Sequence, residues 1–459
     1  MVELIELGYL DVNPITAPAA LCVGTIFSGA VEAGKIEQAW ATVGKAWPIL
    51  GACVRLNHKT EKIEMVVPDP ADIQLKVTSK QINSTLAQTE QVYIKTNLIS
   101  TQAIVRDSSL YHPHPLQDLN AYIANGDPIW SLHVTYLMDA TILAFTFPHL
   151  MDGGGMQFLL HALIGAMDGR PVPPAASNDP WTTLLSKSQF SPDHPTALSS
   201  WSVWDEESVQ EFQQAALADM EAYGPLQPRI IYFPATEIER LKRQGMEDIR
   251  TAGHSDIKWL STSDVLSAWF YQHLFIDLPD SNVTTRFVQP LNSRKYFPEV
   301  FLPDHAYIRQ AFFFVSTDQL TNSQLHSMSF GEIARIVRLS TLSSAAQEPL
   351  LAKLRWICEH DDKFIMPFSP GDRLQITSSW LAFGFGDLDI SSHVKAGTGT
   401  GRLIETTAEG LGKGSITVLK FKDADGGIVC EMDWGVKRWT SGEIAKYALE
   451  NRKTIPDIY

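Results

Sequence analysis

Cysteine is scarce in this sequence, and its spacing supports neither a disulfide framework nor a zinc site. The four cysteines, at positions 22, 53, 358 and 430, lie far apart, and no two of them form a CxxC pair. Structural zinc sites and disulfide scaffolds both need closely and regularly spaced ligands. We therefore expect reduced, packed cysteines and no metal.

Long apolar runs and an excess of basic residues are also missing. No window approaches the roughly 18 uninterrupted apolar residues of a membrane span, and the first residues contain no basic leader. The formal net charge of -15 disfavours nucleic acid or an anionic membrane as a partner. We expect a soluble, cytosolic protein without membrane insertion, in which an anionic ligand needs a local basic patch.

Two common catalytic signatures are absent as well. The chain contains no G-x-S-x-G elbow, which disfavours a serine hydrolase of the α/β type. Three consecutive glycines occupy positions 153–155, but neither a Lys-Ser/Thr pair nor a GxGxxG spacing accompanies them. A nucleotide-binding phosphate loop is therefore not expected there.

The composition is that of a folded protein with more than one domain. The chain has 459 residues, 44% of them apolar, and mixed runs of helical and strand periodicity. A segment rich in Pro, Ser and Asp, with an acidic helix inside it, interrupts the pattern at 176–228. We predict a mixed α/β fold with an N-terminal domain at 1–175, a crossover linker at 176–228 and a C-terminal domain at 229–459.

One stretch combines structural and chemical signals. Two apolar, β-branched runs at 131–138 and 141–147 predict a β-hairpin whose second strand ends at His149. Asp152 and the three glycines follow, and a helix is predicted over 156–167. An imidazole at the base of a cleft suits a general base, although a single histidine is more often structural. Asp152 could fix that imidazole or cap the following helix.

Several blocks of this sequence, taken in order, resemble the BAHD acyltransferases, most closely the fungal branch that acylates secondary metabolites and includes trichothecene acetyltransferases. The resemblance covers most of the chain. It is carried by Ala46-Trp-Pro-Ile-Leu-Gly51, by the hairpin into His149 and Asp152-Gly153, by Ser261-Thr-Ser-Asp-Val-Leu-Ser-Ala268, by Asn292-Ser-Arg294 and by Thr377-Ser-Ser-Trp380.

This resemblance implies two similar domains joined by a long crossover, with the active-site channel between them. It implies acyl-coenzyme A as donor, a small-molecule acceptor and a monomeric protein. His149 is then the general base that deprotonates an acceptor hydroxyl or amine, and Asp152 is a structural partner of Arg294. The implied oxyanion or acyl-binding donors are Ser378, Ser379 and Trp380.

The coenzyme A contacts are less well defined by the sequence. The resemblance places Ser261 and Thr262 at the cofactor, and the local basic residues are Arg286, Arg294, Lys295 and Arg309. These charges could bind phosphates, or they could be ordinary loop charges, with Arg294 engaged by Asp152.

Two departures from the family pattern leave alternatives open. The family motif is His-x-x-x-Asp-Gly, and here His149-Leu-Met-Asp152-Gly153 is one residue shorter; the family's Asp-Phe-Gly-Trp-Gly block is degenerate, at 383–390. We favour an acyl-coenzyme A-dependent O- or N-acyltransferase. The alternatives are a cyclase, isomerase or lyase in which His149 moves a proton without a thioester donor, and a non-catalytic binding protein.

Overall fold

The structure is a computed structural model that describes residues 2–13, 16–89, 95–104, 107–176, 179–187, 201–278, 282–360, 363–409 and 415–449. The strands in these ranges are Glu3–Glu6 (β1), Ala20–Ser28 (β2), Cys53–Asn57 (β3), Lys62–Val67 (β4), Lys76–Gln81 (β5), Ser100–Ala103 (β6), Ser131–Tyr136 (β7), Ala140–Pro148 (β8), Ser202–Trp204 (β9), Leu226–Phe233 (β10), Thr284–Asn292 (β11), Phe312–Ser316 (β12), Leu320–Thr321 (β13), Phe364–Met366 (β14), Arg373–Ser379 (β15), Gly401–Glu409 (β16), Ser415–Lys422 (β17) and Ile428–Gly435 (β18). The helices are Lys35–Ala46 (α1), Leu86–Thr89 (α2), Leu119–Asn125 (α3), Gly153–Met167 (α4), Pro180–Lys187 (α5), Glu206–Tyr223 (α6), Ala235–Thr251 (α7), Thr262–Phe275 (α8), Asn322–Ser327 (α9), Phe330–Ser344 (α10), Gln347–Glu359 (α11) and Val436–Ser441 (α12).

Two large mixed sheets organise these elements. The first has the strand order β16-β2-β8-β7-β5, and the second has the order β12-β11-β15-β17-β18-β10-β6 with β13 paired to β11. Antiparallel pairs dominate, while β5 with β7, β11 with β15 and β15 with β17 are parallel. The predicted mixed α/β class is therefore confirmed.

The two sheets exchange one strand each across the predicted domain limits. Strand β6, from the N-terminal half, pairs with β10 in the second sheet, and β16, from the C-terminal half, pairs with β2 in the first. The crossover at 176–228 contains α5, β9, α6 and the start of β10. Each sheet therefore contains one strand from the other half of the chain. Two domains that are each continuous in sequence do not describe this arrangement.

The first sheet is covered by α1 and α4, whose apolar faces meet over β8. Trp40 of α1 lies against Phe145 of β8 with ring centroids 5.8 Å apart, and both are buried. In α4, Met156, Leu160 and Leu163 are buried at helical spacing. This packing fixes the end of β8, and hence His149, against the first turn of α4.

The second sheet is covered by α8 and α10. A capping box begins α8: the Ser261 side chain accepts from the Asp264 N–H, and the Asp264 carboxylate accepts from the Ser261 N–H. Ten of the fourteen residues of α8 are buried, including Trp269 and Phe270. Because β15 lies beneath this helix, the α8 N-terminus and the end of β15 meet at one edge of the fold.

Candidate active site between the two halves

His149 lies immediately after β8 and is held by contacts from both halves of the chain. Its backbone N–H donates to the Ala19 carbonyl at 3.1 Å, and its Nδ1 lies 2.6 Å from Nε2 of Gln310. Phe312 presents its ring edge-on, with centroids 6.5 Å apart. Burial lowers the pKa of His149 to about 4, opposed by its own carbonyl and by the Asp152 carboxylate. The imidazole is therefore neutral near pH 7.

Asp152 is fully engaged with donors. Its Oδ1 accepts from the Gly155 N–H at 2.8 Å, so it caps α4, and from Arg294 Nη2 at 2.8 Å. Its Oδ2 accepts from Arg294 Nη1 at 2.9 Å and from the Ala311 N–H at 2.8 Å. The structure thus brings Asp152 and Arg294 together as a buried, bidentate pair despite the shortened motif.

The three glycines let this pair form. A Cβ on Gly153 would lie 2.5 Å from the Phe383 ring, and one on Gly154 would lie 2.5 Å from Arg294 Nη1. A Cβ on Gly155 would collide with the Ile308 carbonyl. The α4 N-terminus therefore approaches the C-terminal half closely on three sides, which explains why the helix begins at Gly153 rather than at the predicted position 156.

Residues 309–311 bind the His149–Asp152 loop, and no local pattern in the sequence predicts this contact. The Arg309 carbonyl accepts from Arg294 Nη2 at 2.6 Å, the Gln310 side chain contacts His149, and the Ala311 N–H binds Asp152. Strand β12 begins directly after these residues, at Phe312. The residues before it leave the ladder because their polar groups bind the loop instead.

The predicted oxyanion residues lie at the end of β15, facing both α4 and α8. The Trp380 indole is 3.3 Å from the position of a Cβ on Gly153, and its Nε1–H donates to Ser378 Oγ at 2.9 Å. Ser379 Oγ lies 2.8 Å from Ser263 Oγ in the first turn of α8. All three predicted side chains are half-buried. They are connected to the His149 loop through Gly153.

Two of the predicted coenzyme A contacts lie at a helix N-terminus. Ser261 and Thr262 lie at the α8 N-terminus beside Ser263, and therefore next to the end of β15. Helix N-termini favour anionic groups because their N–H groups and dipole point outward. These two residues stay candidates for coenzyme A contact.

The expected basic cluster is corrected by the structure. Arg286 is buried and paired with Asp372 at 2.7 Å, and Arg309 is buried and paired with Asp11. Arg294 is equally buried in its pair with Asp152. The three guanidinium groups are therefore paired with acidic residues that are distant in sequence. Of the four basic residues, only Lys295 is exposed.

An aromatic cleft with a cavity volume of about 30 Å³ opens beside the imidazole. Its lining includes Gln310 and Phe312, the two residues that contact the His149 ring. The remaining lining is mainly apolar: Tyr9, Leu10, Asn13, Trp201, Phe313, Phe314, Ile357, Ile365 and Pro367. Such an apolar lining is typical of small-molecule sites, although this cavity is much smaller than the roughly 300–1,000 Å³ that most of them enclose.

Neither a metal centre nor a membrane-spanning helix is found in the described ranges. No group of three or more His, Cys, Asp or Glu side chains is arranged there to hold a metal ion. Among the helices of the same ranges, none combines the length and apolarity needed to cross a bilayer.

Comparison with known proteins identifies the fold. No family model matches the chain. TRI101 of F. graminearum, complexed with ethyl coenzyme A, aligns with a TM-score of 0.70 at 14% identity over 97% of this chain and 99% of the other. Vinorine synthase aligns with a TM-score of 0.60 at 13% identity, over 97% and 96% of the two chains. The chain has the BAHD acyltransferase fold.

Curated relatives of this BAHD-fold chain agree with the predicted resemblance, which is confirmed. The O-acetyltransferase PaAT-2 of Phomopsis amygdali is 23% identical over 355 residues, 71% of each chain. The acetyltransferase adrJ of Penicillium roqueforti is 23% identical over 420 residues, 87% of this chain and 84% of that protein. TRI101 has also been solved with coenzyme A and deoxynivalenol.

Proposed function

We propose that this protein is an acyl-coenzyme A-dependent O- or N-acyltransferase acting on a small apolar secondary metabolite, with His149 as general base. The observation that carries the proposal is a neutral imidazole held at the junction of the two halves, in a fold shared with acetyltransferases. Cytosolic location and a monomeric state belong to the same proposal.

The proposed reaction is a transfer between two bound substrates. The acceptor O–H or N–H gives its proton to His149 as the heteroatom attacks the thioester carbonyl carbon. The tetrahedral intermediate then collapses, the carbon–sulfur bond breaks, and coenzyme A leaves as a thiolate that takes the proton from the imidazolium. Because Gln310 engages Nδ1, Nε2 is the ring nitrogen left for the acceptor.

The roles that we propose for the surrounding residues are supported by their positions. Asp152 and Arg294 hold the loop, since their polar atoms are bound to each other and to backbone groups. Ser378, Ser379 and Trp380 are the proposed oxyanion donors, and each needs to redirect a hydrogen bond that it now makes or receives. The aromatic cleft is the proposed acceptor site, and it has to widen on binding because its cavity of about 30 Å³ is too small for a metabolite.

Coenzyme A is proposed to approach the α8 N-terminus. Ser261 and Thr262 lie there, and Ser263 contacts Ser379 at the end of β15. This position places the donor next to Ser379, one of the proposed oxyanion donors. Lys295 is an additional exposed cation for the phosphates.

A second candidate keeps the fold and changes the chemistry. His149 then moves a proton on a single bound metabolite, as in a cyclase, isomerase or lyase, and no thioester takes part. The shortened spacing between His149 and Asp152 is the observation that favours it.

Calorimetric titration with coenzyme A and acetyl-coenzyme A separates the two candidates. We expect saturable one-to-one binding to the wild type and to His149→Ala. With labelled acetyl-coenzyme A and a panel of terpenoid and polyketide alcohols, His149→Ala should lose transfer by about 100-fold or more. His161→Ala, which removes an exposed histidine of α4, is the matched control and should keep wild-type rates.

A folded wild-type protein that binds no coenzyme A contradicts the proposal and favours the second candidate. Equal transfer rates in His149→Ala and the wild type contradict the role of His149.

A further inference from the structure

The amide of Gln310 has only one orientation compatible with its contacts. Its Nε2 lies within hydrogen-bonding distance of both the His149 carbonyl oxygen and His149 Nδ1. The carbonyl can only accept a hydrogen bond, so the amide must present its nitrogen and not its oxygen to this side. Gln310 is buried, with 2% of its surface exposed, and cannot exchange this carbonyl for water.

This orientation fixes the proton on the histidine ring. An amide nitrogen donates and does not accept, so Nδ1 of a neutral imidazole facing it must accept. The single ring proton then resides on Nε2. In this state Nε2 is a hydrogen-bond donor and cannot take a proton from an acceptor alcohol.

A base-competent ring needs the opposite arrangement. Nδ1–H would then face the Gln310 amide nitrogen, which is also a donor, and turning the amide about its last bond replaces that nitrogen by Oε1, which accepts. The same turn places Oε1 against the His149 carbonyl oxygen, and two acceptors then face each other. Without a bound substrate, the turned amide is therefore the less stable orientation. An acceptor hydroxyl that donates to a free Nε2 compensates for this loss.

We infer that Gln310 is a positioning residue that sets the tautomer of His149, and that its amide must turn over before His149 can act as a base. The inference rests on the proposed function for its catalytic part only, since the resting tautomer is a property of the protein without substrates. Acceptor binding and activation of the base are thereby coupled through one side chain.

The resting tautomer can be measured directly. We would record long-range ¹H–¹⁵N correlations of the full chain labelled with ¹⁵N-histidine at pH 7, and assign His149 by the signals missing from His149→Ala. The wild type should carry its proton on Nε2. Gln310→Glu places a carboxylate at Nδ1 that can only accept when ionised, so its His149 should carry the proton on Nδ1.

Two further variants complete this test. Gln244→Glu makes the same change on the exposed face of α7, beside Arg240, and should leave the His149 signals unchanged. Gln310→Met keeps the side-chain length and removes both donor and acceptor, so the Nδ1 resonance should move even if the Glu variant does not fold. A wild-type ring protonated on Nδ1, or His149 resonances unchanged in folded Gln310 variants, overturns the inference.

Activity supplies a second, separable readout. A carboxylate at Nδ1 stabilises the imidazolium, so the acidic limb of kcat/KM in Gln310→Glu should move up by about one pH unit or more. The charged group already acting on the ring is Asp152, which is unchanged in this variant. A wild type without transfer activity contradicts the proposed function, whereas the tautomer measurement still decides the role of Gln310. An unshifted limb in an active Gln310→Glu overturns the coupling.

Discussion

Replacing Asp152 by Asn tests whether the buried pair with Arg294 maintains the site. The substitution keeps the shape and one carbonyl oxygen, which can still cap α4 at the Gly155 N–H. It replaces the other oxygen by an NH₂ group. That group then faces two donors, the Arg294 guanidinium and the Ala311 N–H, which now bind Asp152 Oδ2 at 2.9 and 2.8 Å.

The expected loss of stability follows from the Arg294 charge that remains buried without its partner. Arg294 is 8% exposed, and after the substitution its charge has no carboxylate partner, although the carbonyls of Tyr307 and Arg309 still accept from it. Removing one partner of a buried ion pair typically costs about 3–5 kcal/mol. We expect Asp152→Asn near the lower end of this range, because the cap and the carbonyl contacts remain.

A double-mutant cycle with Arg294→Met isolates the pair. Urea unfolding of the wild type, both single variants and the double variant at pH 7 should give a coupling free energy of about 2 kcal/mol or more. Asp256→Asn, which breaks an exposed pair with Arg335, is the control and should change the free energy of unfolding by less than about 1 kcal/mol. A coupling near zero would refute the view that this pair holds the loop.

Two other substitutions probe the packing around the site and beneath the cleft. Gly155→Ala should destabilise the protein by about 1–3 kcal/mol, because the added Cβ collides with the Ile308 carbonyl. This loss should exceed the gain from the higher helix propensity of alanine. Thermal unfolding measures the effect, and an unchanged Tm contradicts it. Lys353 is buried and hydrogen-bonds to Ser344, and burial lowers its pKa from 10.5 to about 8. Below pH 8 the lysine is charged in both states, and burying this charge reduces the free energy of unfolding by its full amount. The penalty disappears as the pH rises through 10.5, where the unfolded-state lysine also becomes neutral. Relative to Lys353→Met, the wild type should therefore gain about 3 kcal/mol between pH 7 and pH 10.5 in denaturant titrations; a pH-independent difference contradicts this.

The elements around His149 could be predicted because their signals are local. Apolar, β-branched runs define the hairpin, realised as β7 and β8, and helical spacing defines α4. The helix start was placed too late because three glycines usually disfavour a helix. They are tolerated here only because the C-terminal half packs against them, at Phe383, Arg294 and Ile308, and no local pattern contains that information.

The partners of buried charges were the least predictable part of the site. Arg286 looked available for coenzyme A, yet its partner Asp372 lies 86 residues further along the chain. Gln310 was overlooked for the same reason, since its contact with His149 spans 161 residues. A polar residue inside an apolar run was the only available signal, and it cannot reveal which group that residue meets.

The one-residue deletion in the motif does not by itself require a change of chemistry. Asp152 still reaches Arg294 through both oxygens, because it is also the N-cap of α4 and the helix follows it directly. The α4 dipole and the N-cap hydrogen bond hold the Asp152 carboxylate within hydrogen-bonding distance of Arg294. What distinguishes this site is therefore the environment of Nδ1. If Gln310 sets the tautomer, the step that separates acyl transfer from a proton-transfer reaction is whether the amide turns when an acceptor binds, and the spacing of the motif has little influence on that step.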